Sequence, residues 1–115
     1  PGLAITGGWL WTMAMHTFSA IPDIEPDREA GIRTTATLLG ESRTYVYCGV
    51  VWLASAVAFL LISLPMGALM LVYPAALTGV AGLGIDVDKA YWYYPLINTG
   101  VGMVITLGGL WYLVF

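Results

Sequence analysis

Two aspartates, Asp23 and Asp27, are spaced four residues apart in a polar segment that also contains Glu25. Residues four apart on a helix share one face, so helical backbone would bring these two carboxylates close together. Carboxylates held close together repel each other unless a cation lies between them. Mg²⁺ takes oxygen ligands, usually one or two carboxylates together with phosphate oxygens and water. The pair is therefore a candidate magnesium site with Asp23 and Asp27 as its ligands.

Two arginines, Arg28 and Arg33, follow these acids in the chain. Guanidinium groups bind phosphate oxygens through paired hydrogen bonds. Acidic side chains followed by basic ones are what a magnesium-bound diphosphate requires, so both arginines are candidate diphosphate ligands. The alternative is a solvated turn with local ion pairs, such as Glu29 with Arg33, and the spacing alone leaves both interpretations open.

Three further polar residues, Thr12, His16 and Ser19, lead along the chain toward the acids. Together with Asp23 they are spaced four, three and four residues apart, which predicts one polar stripe along a helix. A histidine in a membrane helix usually faces the bundle interior or a cavity. The ordinary role of such a histidine is a hydrogen bond between helices, and the alternative is that the stripe lines a path beneath the acids.

The rest of the chain is apolar, with 59% hydrophobic and only 10% charged residues. Eight of the eleven charged side chains lie in residues 22–43, which we call the headpiece. Soluble domains carry about 25% charged residues, and a helix needs roughly 20 apolar residues to cross a bilayer. We therefore predict an all-α fold, a polytopic bundle of transmembrane helices in contact with membrane lipid. Its four membrane spans cover about residues 3–21, 44–63, 67–83 and 94–115.

The remaining charges lie around Asp86 and Lys89 and predict the topology. Two membrane crossings separate them from the headpiece, so both charged segments lie on the same side. All three arginines and the lysine are on that side, which marks it as cytoplasmic. We expect a multi-pass protein of the cell membrane. Because the chain has four basic residues and a net charge of -3, we expect no nucleic-acid partner.

Prolines and glycines predict the local geometry of the headpiece. The helix of the first span should end near Ile21, because Pro22 and Pro26 follow it. Proline is favoured in the first turn of a helix, so we predict one short helix that starts at Pro26 and ends before Gly40. The acids should then flank a break in the helix and point into its mouth. Ser63 to Gly67 should form the turn between the second and third spans.

The third span contains a proline, Pro74, which should kink its helix. Beside it, Ala75, Gly79 and Gly82 form a strip of small residues. Such strips let helix backbones approach closely, so we predict that this strip is a helix-packing surface.

The segment DIEPDREAGIRTTATLLG closely resembles the second aspartate-rich motif of the UbiA-type intramembrane prenyltransferases. That motif has two aspartates spaced DxxxD, a basic residue, a glycine, a second basic residue, a threonine and a closing glycine. The matching positions here are Asp23, Asp27, Arg28, Gly31, Arg33, Thr34 and Gly40. The wider stretch MHTFSAIPDIEPDREAGIRTTATLLG is most similar to the carotenoid branch of the family, the lycopene elongases of halophilic archaea.

The resemblance implies a larger fold in which nine transmembrane helices surround a central cavity. The four predicted spans would correspond to its helices six to nine. The family's other aspartate-rich motif has no match in this sequence. The resemblance therefore implies that an N-terminal half of the same protein is missing and that the fragment alone is inactive.

The implied reaction is the Mg²⁺-dependent transfer of a prenyl group from an allylic prenyl diphosphate to an apolar acceptor within the membrane. Asp23 and Asp27 would be the metal ligands, and Arg33 and Arg28 would be the diphosphate partners. For the carotenoid branch, the donor would be dimethylallyl diphosphate and the acceptor lycopene. The same headpiece would serve an enzyme that acts on a quinone, chlorophyll, haem or ether-lipid precursor. A cation transporter, which would need ionisable groups deep within its spans, and a non-catalytic membrane subunit are the alternatives from other classes.

Overall fold

The computed structural model describes residues 1–114, and all regular secondary structure in that range is helical. Its helices are α1 (Gly2–Ser19), α2 (Ile24–Glu29), α3 (Thr35–Leu39), α4 (Glu41–Leu60), α5 (Leu64–Met70), α6 (Val72–Leu83), α7 (Val87–Tyr91) and α8 (Tyr94–Val114). Three stretches, Glu41–Leu60, Leu64–Leu83 and Val87–Val114, are long and apolar enough to cross a membrane. The prediction of an all-α transmembrane bundle is confirmed, and the chain is a multi-pass membrane protein.

The predicted spans coincide with these helices to within a few residues. The first predicted span forms α1, which is not among the three apolar stretches, so its crossing of the membrane stays a prediction. The predicted turn over residues 63–67 was wrong, because α5 already begins at Leu64. Pro65 is tolerated there, since the first N–H groups of a helix have no intrahelical acceptor to lose. The predicted end of the last span, Phe115, lies outside the described residues.

The helices α1 and α4 pack along their length and form the centre of the bundle. The Ser55 hydroxyl donates a hydrogen bond to the Gly7 carbonyl oxygen at 2.7 Å, and the Cys48 Sγ lies 3.5 Å from the Ala14 carbonyl oxygen. A Cβ atom at Gly7 would lie 2.9 Å from the ring of Phe59, so the absent side chain is what allows this approach.

An aromatic cluster joins α1, α4, α6 and α8. Trp52 stacks on Tyr73 and on Tyr94, with ring centroids 5.7 and 5.9 Å apart, and Phe18 lies 4.7 Å from Tyr94. The Tyr73 hydroxyl also donates a hydrogen bond to Asn98 Oδ1 at 2.9 Å. These contacts hold the N-terminal part of α8, whereas its C-terminal turns are exposed.

The predicted kink of the third span is present as an interruption between α5 and α6 at Leu71, three residues before Pro74. A proline ring clashes with the carbonyl of the residue four positions earlier and offers it no N–H, which explains a break just upstream. The interruption divides the apolar stretch Leu64–Leu83 into two segments that can follow different directions along α4.

The close contact between the second and third spans is at Gly67, not at the predicted strip. A Cβ atom at Gly67 would lie 2.5 Å from the Leu60 Cα atom, whereas a Cβ atom at Gly79 or Gly82 would meet nothing within 4 Å. The predicted helix-packing role of Gly79 and Gly82 is therefore not seen within residues 1–114. The second and third spans approach each other most closely near the α4–α5 turn instead.

Candidate functional site

The headpiece, residues 22–43, contains two short helices instead of the single predicted one. The first, α2, begins at Ile24, so Pro26 is its third residue and not its first. The ring is tolerated there because the first N–H groups of a helix lack an acceptor. The prediction of one continuous helix up to Gly40 is wrong because Gly31, with φ of 71°, adopts the left-handed conformation that ends a helix.

The second short helix, α3, is started by a pair of reciprocal hydrogen bonds. The Thr37 N–H donates to Thr34 Oγ1 at 3.1 Å, and the Thr34 N–H donates to Thr37 Oγ1 at 2.8 Å. This arrangement is a capping box, which satisfies two N–H groups at a helix start. The helix ends at Leu39, and Gly40 follows with φ of 75°. The predicted helix end before Gly40 is thus confirmed.

The two aspartates lie one helical turn apart, and the break that the prolines predict between them is absent. The Asp27 N–H donates to the Asp23 carbonyl oxygen at 2.8 Å, which fixes the two residues on one short turn. Asp23 is exposed and Asp27 is half-buried. Within residues 1–114, neither carboxylate takes part in a side-chain hydrogen bond or an ion pair, so their oxygens are available to a ligand.

This donor set fits a hard divalent cation. Mg²⁺ commonly binds through one or two carboxylates and takes its remaining oxygens from phosphates and water. In the part of the chain that is described, no group of three or more His, Cys, Asp or Glu residues could hold a metal ion. Asp23 and Asp27 can therefore supply part of a coordination sphere, and other ligands must complete it.

The two candidate arginines differ in their surroundings. Arg28 is held within the headpiece: its Nε and Nη2 donate to the Thr37 carbonyl oxygen at 3.2 and 2.9 Å, and its Nη1 donates to Glu25 Oε1 at 2.8 Å. Arg33 is exposed, and its guanidinium makes no hydrogen bond or ion pair within residues 1–114. The alternative pairing of Glu29 with Arg33 is not formed in that range. Arg33 is thus free to bind an anion.

The polar stripe of α1 lies on the side of the helix that faces away from α4. Thr12 and His16 are exposed and Ser19 is half-buried. The Thr12 hydroxyl donates to the Gly8 carbonyl oxygen at 2.9 Å, and the Ser19 hydroxyl donates to the His16 carbonyl oxygen at 2.8 Å. Both hydroxyls are therefore satisfied within α1, and the His16 ring is the group of the stripe that is open to an outside partner.

Two open pockets lie beside the headpiece, and both include Glu41. The smaller has a volume of about 260 Å³ and the larger about 530 Å³. The smaller is lined by Ile21, Pro22, Ile24, Glu25, Arg28 and Glu41. The larger is lined by Glu41, Ser42, Tyr45, Val80, Ala81, Gly84, Ile85, Asp86 and Val87. Neither aspartate of the DxxxD pair lines them, so the pair faces a surface that this chain does not enclose by itself.

Sequence reasoning missed the bonds that give the headpiece its shape. The threonine pair spaced three residues apart, Thr34 and Thr37, was a detectable signal for a helix start. The spacing of Glu25 and Arg28 was a weaker signal for an ion pair on one helical face. No signal in the sequence indicated that the carbonyl oxygen of Thr37 would accept two hydrogen bonds from Arg28.

The headpiece and the apolar helices together define a class of protein, a helical membrane protein with an aspartate pair exposed on a polar headpiece. The sequence matches the UbiA prenyltransferase family over residues 1–95, and the chain belongs to that family. It is 66% identical over 114 residues to the lycopene elongase/hydratase of Haloferax volcanii, a match that covers 99% of this chain and 38% of the relative.

Two further relatives extend this similarity. A lycopene elongase/hydratase of Haloarcula japonica is 59% identical over 115 residues, which are 100% of this chain and 39% of the relative. The C(50) beta-cyclic carotenoids biosynthesis protein LbtBC of a Dietzia species is 31% identical over 127 residues, which cover 96% of this chain and 29% of the relative. The chain thus spans less than half the length of these curated relatives. No solved structure matches it significantly.

Proposed function

We propose that the complete protein transfers a dimethylallyl group from dimethylallyl diphosphate to lycopene within the membrane. In this proposal the chain supplies one side of the diphosphate site, on a headpiece at the cytoplasmic face. The observation that carries the proposal is a pair of carboxylates, Asp23 and Asp27, that lie one turn apart in a UbiA-family sequence and have no side-chain partner within residues 1–114. The names of the haloarchaeal relatives support lycopene as the acceptor.

The headpiece binds the donor through Asp23, Asp27 and Arg33. Asp23 and Asp27 would hold Mg²⁺, which when bound neutralises negative charge on the diphosphate. Arg33 is exposed and unpaired within residues 1–114, and its guanidinium can donate two parallel hydrogen bonds to diphosphate oxygens. These groups stabilise the diphosphate most strongly as it leaves, because its negative charge is then greatest.

The apolar helices provide the surroundings in which the allylic carbon reacts with the acceptor. When the bond between the allylic carbon and the diphosphate oxygen breaks, the electron pair leaves with the diphosphate and the carbon becomes cation-like. The electron pair of an acceptor double bond then forms the new carbon–carbon bond, which leaves the positive charge on the acceptor. The product becomes neutral when it loses a proton or takes up water. Apolar surroundings exclude the water that would otherwise capture the cation. The stripe formed by Thr12, His16 and Ser19 is proposed to line this space, because it faces away from α4 and toward the side that this chain leaves open.

Different observations bear on the choice of acceptor and on the class of protein. A quinone, chlorophyll, haem or ether-lipid precursor would use the same headpiece, so only the relatives' names favour lycopene. A cation transporter needs ionisable groups at membrane depth. Residues 44–85 contain no Asp, Glu, Lys or Arg, which argues against that function.

The test uses the complete open reading frame that encodes this chain, expressed in membranes and supplied with Mg²⁺, labelled dimethylallyl diphosphate and lycopene. We expect labelled, elongated carotenoid, and we expect Asp23→Asn and Asp27→Asn each to lower turnover by at least about a hundredfold, because several kcal/mol of charge stabilisation is lost. Glu29→Gln is the matched control, since Glu29 is an exposed acid in the same short helix. It should retain turnover.

Three outcomes would contradict the proposal. Full activity of both asparagine variants would contradict the assignment of the two aspartates as metal ligands. Labelling of a quinone or lipid precursor in place of lycopene would leave the family assignment intact but would show that lycopene is not the acceptor. Absence of any labelled product from the wild-type protein, with correct membrane insertion, would support the non-catalytic subunit. Mass analysis of the product also shows whether water is added, as the relatives' name lycopene elongase/hydratase suggests.

A further inference from the structure

The last carbonyl groups of a helix have no intrahelical N–H partner and must find one elsewhere. In α3, which has five residues, Thr37 is buried and its carbonyl oxygen is in the last turn. Arg28, from the preceding helix α2, donates two hydrogen bonds to this oxygen, from Nε at 3.2 Å and from Nη2 at 2.9 Å. A side chain of α2 therefore caps the C-terminus of α3.

The rest of the Arg28 guanidinium is also partly engaged. Its Nη1 donates to Glu25 Oε1 at 2.8 Å, which places a carboxylate beside the positive charge. Gly40 passes close to the same group, because a Cβ atom there would lie 3.5 Å from Nη2. Arg28 thus has one edge directed at the Thr37 carbonyl oxygen and a neighbouring N–H bound to Glu25, in contrast to the unpaired Arg33.

These bonds bridge the segment that begins directly after Asp27 and contains Arg33. Arg28 directly follows Asp27, and the segment between Arg28 and Thr37 contains Arg33. A further hydrogen bond, from the Ile32 N–H to the Asp27 carbonyl oxygen at 2.8 Å, closes the start of that segment. The Arg28–Thr37 bridge therefore limits how far Arg33 can move relative to Asp27.

We propose that Arg28 is a positioning residue that holds α3 against α2 and so sets the placement of Arg33 relative to the aspartate pair, and that it is not a diphosphate ligand. This inference rests on the proposed prenyl transfer. A positioning role depends on the fork shape of the guanidinium, which presents two N–H groups to one oxygen while a third reaches Glu25. Lysine has the same charge without that shape.

The two roles predict different kinetics for Arg28→Lys and Arg28→Gln in the complete protein. For a positioning residue, both variants lose the bridge, so kcat should fall about ten- to a hundredfold in each, as expected for small misplacements of reacting groups. The KM for dimethylallyl diphosphate should stay within about threefold of wild type, because Arg28 itself contacts no phosphate and Arg33 stabilises the diphosphate most strongly as it leaves. Arg43→Gln is the control, because Arg43 is another exposed arginine of the headpiece and makes no side-chain hydrogen bond within residues 1–114.

A diphosphate ligand would give the opposite pattern. Near-normal turnover in Arg28→Lys, together with a tenfold or greater rise of KM in Arg28→Gln, would overturn the proposal, and so would wild-type kcat in both variants. A lower melting temperature, together with an unchanged kcat at temperatures below the melting point, would show a merely structural role. That result would also overturn the proposal. If the Arg28 variants fail to insert, Glu25→Ala replaces them, because alanine has no acceptor for Arg28 Nη1, and a kcat loss of about threefold is expected for one lost bond. Unchanged kcat in Glu25→Ala would then overturn the proposal.

Hydrogen exchange separates failure of this inference from failure of the proposed function. If the wild-type protein transfers no prenyl group, the prenyltransferase proposal fails, but the bridge can still be measured. The amides of Leu38 and Gly40, which bond to Thr34 and Ala36 within the α3 segment, should exchange at least about tenfold faster in Arg28→Lys than in Arg43→Gln. Equal exchange in the two variants would show that no bridge exists in solution.

Discussion

The substitution Gly67→Ala tests the closest approach between helices in this chain. The added Cβ atom would lie 2.5 Å from the Cα and Cβ atoms of Leu60 and 2.7 Å from its backbone nitrogen, whereas ordinary contacts begin near 3.4 Å. The α4 and α5 backbones must therefore separate by about 0.9 Å. Overpacking of this kind costs about 1–3 kcal/mol, and because the obstacle is backbone we expect about 3 kcal/mol.

Part of that cost is returned by helix propensity. Alanine is more favourable than glycine within a helix by about 1 kcal/mol, so the net loss of unfolding free energy in Gly67→Ala should be about 2 kcal/mol. Gly79→Ala is the matched control, because a Cβ atom there meets nothing within 4 Å. That variant should gain up to about 1 kcal/mol. The two alanine variants should then differ by about 3 kcal/mol.

The assay is reversible unfolding of the complete protein in mixed micelles of a mild detergent and dodecyl sulfate, followed by tryptophan fluorescence. Trp52 is a suitable probe because it is buried in the aromatic cluster. Equal unfolding free energies for Gly67→Ala and Gly79→Ala would refute the assignment of Gly67 to the helix contact. A loss confined to Gly79→Ala would instead restore the strip that the sequence suggested.

Three further substitutions test individual hydrogen bonds. Thr34→Val removes the capping box and should destabilise α3 by about 1 kcal/mol, measured as faster amide exchange in that helix. Ser55→Ala removes the hydroxyl that donates to the Gly7 carbonyl oxygen, and unfolding in micelles should show a loss of about 0.6 kcal/mol. Tyr73→Phe removes the bond to Asn98, and a protease should then cut the C-terminal part of the chain more readily.

Each of these variants has a control in which the same type of substitution is made at a residue outside the hydrogen bond. Thr35→Val alters an exposed threonine beside the capping box, and Ser42→Ala alters an exposed serine of α4. Tyr47→Phe removes a hydroxyl that makes no hydrogen bond within residues 1–114. If a control changes its measurement as much as its partner, the corresponding hydrogen bond does not carry the effect.

Hydropathy and charge were sufficient to predict the apolar helices, because crossing a bilayer requires length and low charge more than any particular residue. The helical turn that joins Asp23 to Asp27 was not predicted, because Pro26 indicated a break there, whereas a proline in the first turn of a helix costs no hydrogen bond. The α2–α3 break was not predicted, because glycine is compatible both with a helix interior and with the left-handed conformation that Gly31 adopts.

Contacts between helices could not be predicted from the sequence. Gly67 and Gly79 are equally small, and which of them meets α4 depends on where the short turn after Leu60 directs the next helix. The role of Arg28 depends on a backbone oxygen nine residues away, and every residue type carries that oxygen, so no side-chain pattern marks it. Packing and backbone acceptors thus have to be read from three-dimensional structure.

The side-chain bonds that shape the headpiece join residues no more than nine positions apart. Loops of about ten residues close in roughly 10–100 ns, whereas a ribosome adds only about 5–20 residues per second. The turn from Asp23 to Gly40 can therefore reach its shape during synthesis, while α4 is still being made. In biogenesis this polar turn would then be complete before the apolar stretches that follow it, Glu41–Leu60, Leu64–Leu83 and Val87–Val114, enter the membrane.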